Sequence, residues 1–213
     1  MEDSFDSQDE FKNLNYLFNF VVLTCRQYNI DESHGLKHSM DVFYYSNMIY
    51  ESLIDENPDL KNYKEIINIA SILHDMCDKK YMNEKDGLER IRTNMTDINQ
   101  DNLNISLSII SKLSYSYIKK NGYPDMGNHQ LAYDIVGEAD RLASYDFERC
   151  IIYQMMNKNE TYEKSFNDAI ELFNNRVFTY IDEGLFKTDL GKKMANKMYT
   201  DAVIRIAFLK SFI

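Results

Sequence analysis

The stretch IINIASILHDMCDKKY, residues 66–81, decides the fold because it starts like the centre of a buried helix and ends abruptly in charges. Counting back from His74 by four and seven positions reaches Ala70 and Ile67, which share one apolar face of such a helix. His74 is therefore predicted to point into the core, next to the acidic Asp75. A core helix that ends in inward-facing polar groups needs a chemical reason for them.

The composition favours an all-α fold, built as a compact multi-helix bundle. Only 7 of the 213 residues are Gly and 2 are Pro, so little material is available for hairpin turns. The long stretches rich in Leu, Ile, Lys, Glu and Met favour helices. Helices are predicted over residues 11–28, 35–54, 62–76, 83–96, 103–119, 129–157, 162–181 and 190–212.

The expected division of the chain places the chemistry in its first part. Residues 1–157 are predicted to form the helical, metal-binding core. Residues 158–213 are predicted to form a helical extension packed on the same domain, carrying none of the site's chemistry.

Charge and cysteine content limit the partners and the compartment. A formal net charge of −10 and a pI near 4.9 argue against nucleic acid and anionic membranes, which both attract basic patches. Cys25, Cys77 and Cys150 are odd in number and lack a CxxC, so neither a disulfide framework nor a zinc knuckle is indicated. The acidic N-terminus differs from a signal peptide and no apolar run could span a bilayer, so a soluble cytoplasmic protein is expected.

Two further predicted helices carry polar residues on apolar faces. His38 lies in one stripe with Val42, and Asp140 lies in one row with Ala143. An ionised carboxylate buried without a partner costs several kcal/mol. Arg141 points about 100° away from Asp140 on a helix, so it is not an obvious partner.

A divalent metal is a better partner for these buried carboxylates than a basic side chain, because Lys79 and Lys80 lie beyond the predicted helix end. Neutral imidazole nitrogens and carboxylate oxygens form the mixed ligand set that suits manganese, iron, zinc or magnesium.

Three segments together resemble the HD-domain metal-dependent phosphohydrolases. They are SHGLKHSMDV at 33–42, ASILHDMCDKKY at 70–81 and GEADRLASYD at 137–146. That family has a His on an early helix, a His-Asp pair at the end of a later helix, and an Asp farther on. The resemblance covers about half of the chain and is strongest to a subgroup that acts on nucleotides. It implies an HD-domain-like bundle and a small phosphate ester, preferably a nucleotide, as the substrate.

The resemblance implies roles for individual residues. One divalent ion, with manganese favoured over magnesium, iron and zinc, would be bound by His38, His74, Asp75 and Asp140. Asp78 would join Asp75 as a catalytic residue, since an acid three positions after the pair orients the attacking water in related enzymes. Its spacing of four from His74 also places it one helical turn away. The candidates to bind substrate are His34, Lys79, Lys80 and Arg141.

The implied reaction is metal-assisted hydrolysis, in which the ion activates a bound water and Asp78 takes or positions the proton. Relatives with two metals need several more histidines than the 4 in this chain, so a mononuclear site is favoured. Two positions depart from the family pattern. Gly35 replaces an acid beside His34, and Ala143 replaces a later acid.

Alternatives remain open from the sequence. His34 could cap or stack at a helix start, and Asp78 could be a helix-end charge paired with Lys79 or Lys80. Cys77 is favoured as a small buried residue over a nucleophile. The whole chain could instead be a catalytically inactive HD-fold module that binds nucleotide or metal, or a metal-free helical interaction protein. The sequence does not indicate an oligomeric state.

Overall fold

The protein is described by a computed structural model that covers residues 3–213, with side chains described from Lys12 onward. Met1 and Glu2, at the start of the acidic N-terminus, lie outside the described residues. Within that range the chain forms ten α-helices and no strand, which confirms the all-α prediction. The helices are α1 Asp3–Tyr28, α2 Leu36–Leu53, α3 Lys64–Leu73, α4 Glu84–Asn94, α5 Gln100–Ile110, α6 Tyr115–Asn121, α7 Gln130–Ala143, α8 Phe147–Lys158, α9 Tyr162–Asn175 and α10 Asp189–Lys210.

Two of the predicted helices are each broken in two, and capping residues explain the breaks. The predicted helix 103–119 becomes α5 and α6, and Ser114 accepts a hydrogen bond from the first turn of α6. The predicted helix 129–157 becomes α7 and α8, and Asp146 accepts one from the backbone N–H of Arg149. Ser and Asp satisfy the exposed N–H groups at a helix start, so each begins a new helix where apolar periodicity alone suggests continuation.

Helix α3 is the centre of the core. Every residue from Ile66 to Leu73 is buried, and the helix packs against α1, α2, α5 and α7. Truncating one of its fully buried isoleucines to alanine would cost about 2–5 kcal/mol. Because α2 packs on both α3 and α7, one end of each of these three helices lies at the same place in the bundle.

The C-terminal helix is fastened to α7 by a buried carboxylate. Glu138 is fully buried, and its side chain accepts hydrogen bonds from the backbone N–H of Lys187, the backbone N–H of Thr188 at 2.8 Å and the Thr188 hydroxyl at 2.6 Å. Burial raises the pKa of Glu138, although these donors act in the opposite direction. A Cβ added at Gly191 would collide with this carboxylate, so only glycine allows α10 to start so close to α7.

No helix in the described part of the chain is both long and apolar enough to cross a membrane.

Candidate metal centre

The polar cluster forms where three helices end. His38 lies in the first turn of α2, His74 directly follows α3, and Asp140 lies in the last turn of α7. Packing of α2 against the other two helices brings residues about a hundred positions apart in the chain to one place.

Two imidazole nitrogens and two carboxylates converge there. The Nε2 atoms of His38 and His74 are 3.0 Å apart. An Asp75 oxygen lies 3.4 Å from Nε2 of His38 and 3.3 Å from Nε2 of His74. An Asp140 oxygen lies 3.4 and 3.6 Å from the same two nitrogens. Atoms that each bind one ion at about 2.1 Å lie about 3.0–3.5 Å apart, so these spacings suit a shared metal.

Asp75 lies beyond the end of α3, which stops earlier than predicted. The predicted helix runs to Met76, whereas α3 ends at Leu73 and the chain continues as turns through Cys77. His74 and Asp75 both approach Nε2 of His38, at 3.0 and 3.4 Å.

Hydrogen bonding sets the tautomer of His74. Its Nδ1 donates to the Ser71 carbonyl oxygen at 2.9 Å, which leaves Nε2 directed at the cluster. Burial disfavours the charged ring, but the Asp75 carboxylate outweighs burial and raises the pKa of His74 to about 9. His74 in turn holds the pKa of Asp75 well below its usual range, despite the burial of that carboxyl. In the metal-free protein the His74–Asp75 pair therefore carries a proton, which supplies the positive charge that a bound metal ion would otherwise supply.

His38 has the opposite electrostatics. Burial and the nearby Arg149 guanidinium lower its pKa to about 4, so the ring is neutral at neutral pH, as a metal ligand must be. One terminal nitrogen of Arg149 lies 3.0 Å from Nε2 of His38 and closer still to Nδ1.

The donor set fits a divalent cation. His38, His74 and Asp140 form a group able to hold a metal ion, with ligand atoms all within 4.8 Å of one another. Both histidines are buried, while the Asp75 and Asp140 side chains retain 15% and 23% of their accessible surface. The carboxylates thus face a cavity of about 150 Å³ that adjoins the cluster.

Opposite charges balance around this cavity. Its acidic lining residues are Asp75, Asp78, Glu84 and Asp140, and its basic ones are Lys79, Lys80, Arg149 and Arg176. Four carboxylates against four cations leave no net charge when the histidines are neutral. A divalent ion would therefore make the cavity net positive by two, within a chain whose net charge is −10.

His34 also lines the cavity, and it does so as part of a hydrogen-bonded chain. Its Nε2 lies 2.8 Å from the Lys80 ammonium, which can only donate. Its Nδ1 therefore carries the proton and faces the Ser33 hydroxyl at 2.6 Å and the Tyr81 hydroxyl at 3.1 Å. Tyr81 in turn donates to Asp31 at 2.9 Å. Burial lowers the pKa of His34 to about 3, so the ring stays neutral and orients Lys80.

Asp78 reaches the cavity through the turn and not along a helix face, since α3 has already ended. Its carboxylate accepts the backbone N–H of Lys80 at 2.8 Å and lies 3.3 Å from the Lys80 ammonium. Lys79 lines the same cavity and is exposed. Cys77 is a buried thiol whose pKa burial raises to about 12, which suits a packing residue better than a nucleophile.

Arg141 does not join the other predicted site residues. Its side chain is 3% exposed and its guanidinium packs over Gly137, so that a Cβ there would lie 2.6 Å from a guanidinium nitrogen. It is absent from the cavity lining. His129 likewise lies elsewhere, with its ring against Tyr63.

Two basic residues that the sequence did not indicate line the cavity, where Arg141 was expected. Arg149 comes from α8, and Arg176 follows α9 in the segment that was expected to carry none of the chemistry. Arg176 donates from Nε to the Tyr180 hydroxyl at 2.7 Å, and its guanidinium lies 5.0 Å from the centre of the Tyr115 ring. Residues 158–213 therefore contribute Arg176 to the cavity lining.

Comparisons with known proteins bear on the fold. No protein-family model matches this chain, and no curated protein is significantly similar to it. A crystal structure of a Lactobacillus plantarum protein, a Northeast Structural Genomics target, superposes with a TM-score of 0.68 at 18% sequence identity. The match covers 94% of this chain and 96% of the other. At this identity the likeness shows a shared helical arrangement and carries no information about chemistry.

Proposed function

We propose that this protein is an HD-domain type, metal-dependent phosphohydrolase that acts on a nucleotide or related phosphate ester. The observation that carries the proposal is the convergence of His38, His74, Asp75 and Asp140 beside a cavity that is lined by four cations. A divalent ion there would leave an excess of two positive charges, which a phosphate dianion would neutralise. The three HD-like segments of the sequence occur in the order that this family has, which agrees with the proposal.

The bound ion would supply two things at this position: a water acidified enough to attack at neutral pH, and polarisation of a phosphoryl oxygen. Asp78 is the carboxylate of this chain assigned to orient the attacking water and accept its proton. Its hydrogen bond from the Lys80 backbone keeps the carboxylate in the cavity wall, 3.3 Å from the Lys80 ammonium.

The basic lining residues would hold the phosphate group. Lys80 is oriented by His34, so its ammonium is presented to the cavity at little additional entropy cost. Arg149 and Arg176 present planar guanidinium groups that can donate two hydrogen bonds to one phosphate. Arg149 and a metal at Nε2 of His38 would compete for one imidazole, so Arg149 is expected to turn from His38 to the substrate when the ion binds.

The test is hydrolysis by protein that has been stripped with a chelator and reloaded with manganese. Phosphate and pyrophosphate release would be measured on a panel of nucleoside mono-, di- and triphosphates. We expect metal-dependent release that falls to background in Asp140→Ala and is retained in Asp182→Ala, which removes an exposed carboxylate outside the cavity. Bound metal without release from any member of the panel would instead favour a non-catalytic binding module.

A further inference from the structure

The C-terminal half of α10 and the turn after it expose an apolar surface that the bundle leaves uncovered. Ile204, Phe208 and Phe212 are 63%, 64% and 74% exposed. The rings of Phe208 and Phe212 are in contact, with centroids 5.1 Å apart. Large contiguous apolar patches on soluble proteins mark interaction sites.

A groove of about 540 Å³ runs beside this surface. Its floor is made by Leu142, Ala143 and Phe147, at the junction of α7 and α8. One wall is α10 itself, through Ile204 and Phe208, and the facing wall belongs to α2. The exposed apolar side chains and the groove that could receive such side chains are therefore adjacent on the same chain.

The charges of the two parts are complementary. Residues 202–213, AVIRIAFLKSFI, contain Arg205 and Lys210 and no acidic residue, in a chain with ten more acids than bases. The groove keeps an acidic excess after its internal ion pairs, since Lys37 pairs with Asp41 and Arg205 with Glu148, which leaves Asp146 and Asp201. A ligand for the groove should thus be apolar and mildly basic, which describes residues 202–213 of another copy.

We propose that two copies of this chain pair through this face, with residues 204–212 of each lying over the groove of the other. The contact is self-complementary and closes with two copies, as a two-fold interface does. Phe208 and Phe212 would each remove roughly 100 Å² from water in each copy. Ile204 and the groove lining would add to this buried area on both copies.

A membrane surface fits this face less well. Anionic lipid recognition uses clusters of about four to eight basic residues. Residues 202–213 carry two, and the whole chain is strongly acidic. The pairing does not involve the metal cavity, so it stands or falls separately from the proposed function.

The test is the mass of the full chain in solution by light scattering and sedimentation. Wild type should have twice the chain mass of 25.2 kDa. Phe208→Glu and, separately, Ile204→Glu should return it to one chain mass with unchanged helical circular dichroism. Met156→Glu is the matched control, because Met156 is 70% exposed on α8 and lies outside the groove, and it should remain paired.

Three results would overturn the pairing. One is a wild type that stays at one chain mass at its highest soluble concentration. Another is a paired state that survives in both groove variants while they remain folded. The third is a single-chain wild type that co-sediments with phosphatidylserine vesicles through Phe208, which would assign the face to a membrane.

Discussion

The Nε2 atoms of His38 and His74 lie 3.0 Å apart, although 36 positions separate the two residues in the chain. Two neutral imidazoles that direct lone pairs at each other at this distance would repel. A proton or a cation must therefore sit between them. Asp75 and Asp140 approach the same two nitrogens, so this group of side chains could bind a divalent ion in place of that proton.

Metal content follows directly from this arrangement. Protein reloaded with manganese and desalted should retain about one ion per chain, and Asp140→Ala or His74→Ala should retain little or none, because each removes a ligand atom from a small set. Elemental analysis gives the stoichiometry. His129→Ala is the control, since His129 lies outside the cluster, and it should bind like wild type. Equal metal content in all variants would refute the site.

The affinity for metal should depend on pH through His74. Burial opposes its charged form, but Asp75 outweighs burial and raises its pKa to about 9, above the ordinary value of 6.5. In the metal-free protein this proton stabilises the fold fully below about pH 6.5, and that stabilisation is lost as the pH rises through about 9. Metal binding must displace the proton, so apparent affinity should rise by up to about tenfold per pH unit between about pH 6 and 8.

Calorimetric titration with manganese measures this effect. Repeating the titration at pH 7 in buffers of different ionisation enthalpy should show release of about one proton per ion bound. An affinity that does not change with pH, or binding without proton release, would contradict the assignment of the proton to the His74 cluster.

Removal of Arg149 should weaken substrate binding without weakening metal binding. A charge-assisted hydrogen bond contributes about 1.5–3 kcal/mol, so Arg149→Ala should raise the KM for a phosphate substrate by about 10–100-fold. Metal affinity should be unchanged or higher, because a cation beside His38 has been removed. Steady-state kinetics and metal titration on the same variant separate the two effects.

The matched control for this variant is Arg92→Ala, an exposed arginine on α4 that pairs only with Glu89 among the ion pairs of the described residues. It should behave like wild type in both measurements. If Arg149→Ala loses metal while Arg92→Ala does not, Arg149 supports the metal site and does not bind substrate.

Glu138 should be important for stability and not for chemistry. Glu138→Ala removes the acceptor of three hydrogen bonds from Lys187 and Thr188, at a cost of about 2–4 kcal/mol in the free energy of unfolding. Urea denaturation measures that cost. Glu171→Ala, which removes an exposed carboxylate, should change stability by less than about 0.5 kcal/mol. Equal stability of the two variants would mean that α10 is held by other contacts.

The predicted helices and metal ligands depend on local information, which a sequence contains. Apolar spacing along α3 and α2 is enough to direct His74 and His38 inward, because neighbours along a helix decide which face is buried. Carboxylates that are buried in this way need a cation as a partner, because an unpaired buried charge is costly. These arguments need no knowledge of how the helices pack.

Arg149 shows what such arguments miss. It follows Asp140 by nine residues, which on one continuous helix places the two side chains on opposite faces. The break at Ser144–Asp146 redirects α8, and only then does Arg149 reach His38.

The sequence by itself therefore determined the all-helical class and predicted which histidines and aspartates lie close together, since both follow from burial patterns within single helices. Tertiary structure alone decided which cations face that group. Arg141, beside Asp140 in sequence, is buried over Gly137, while Arg149 and Arg176 come from helices that fold back over the cavity. The physical reason is that a side chain's partner across the bundle depends on where helices end and turn, which the capping residues and the packed core settle together.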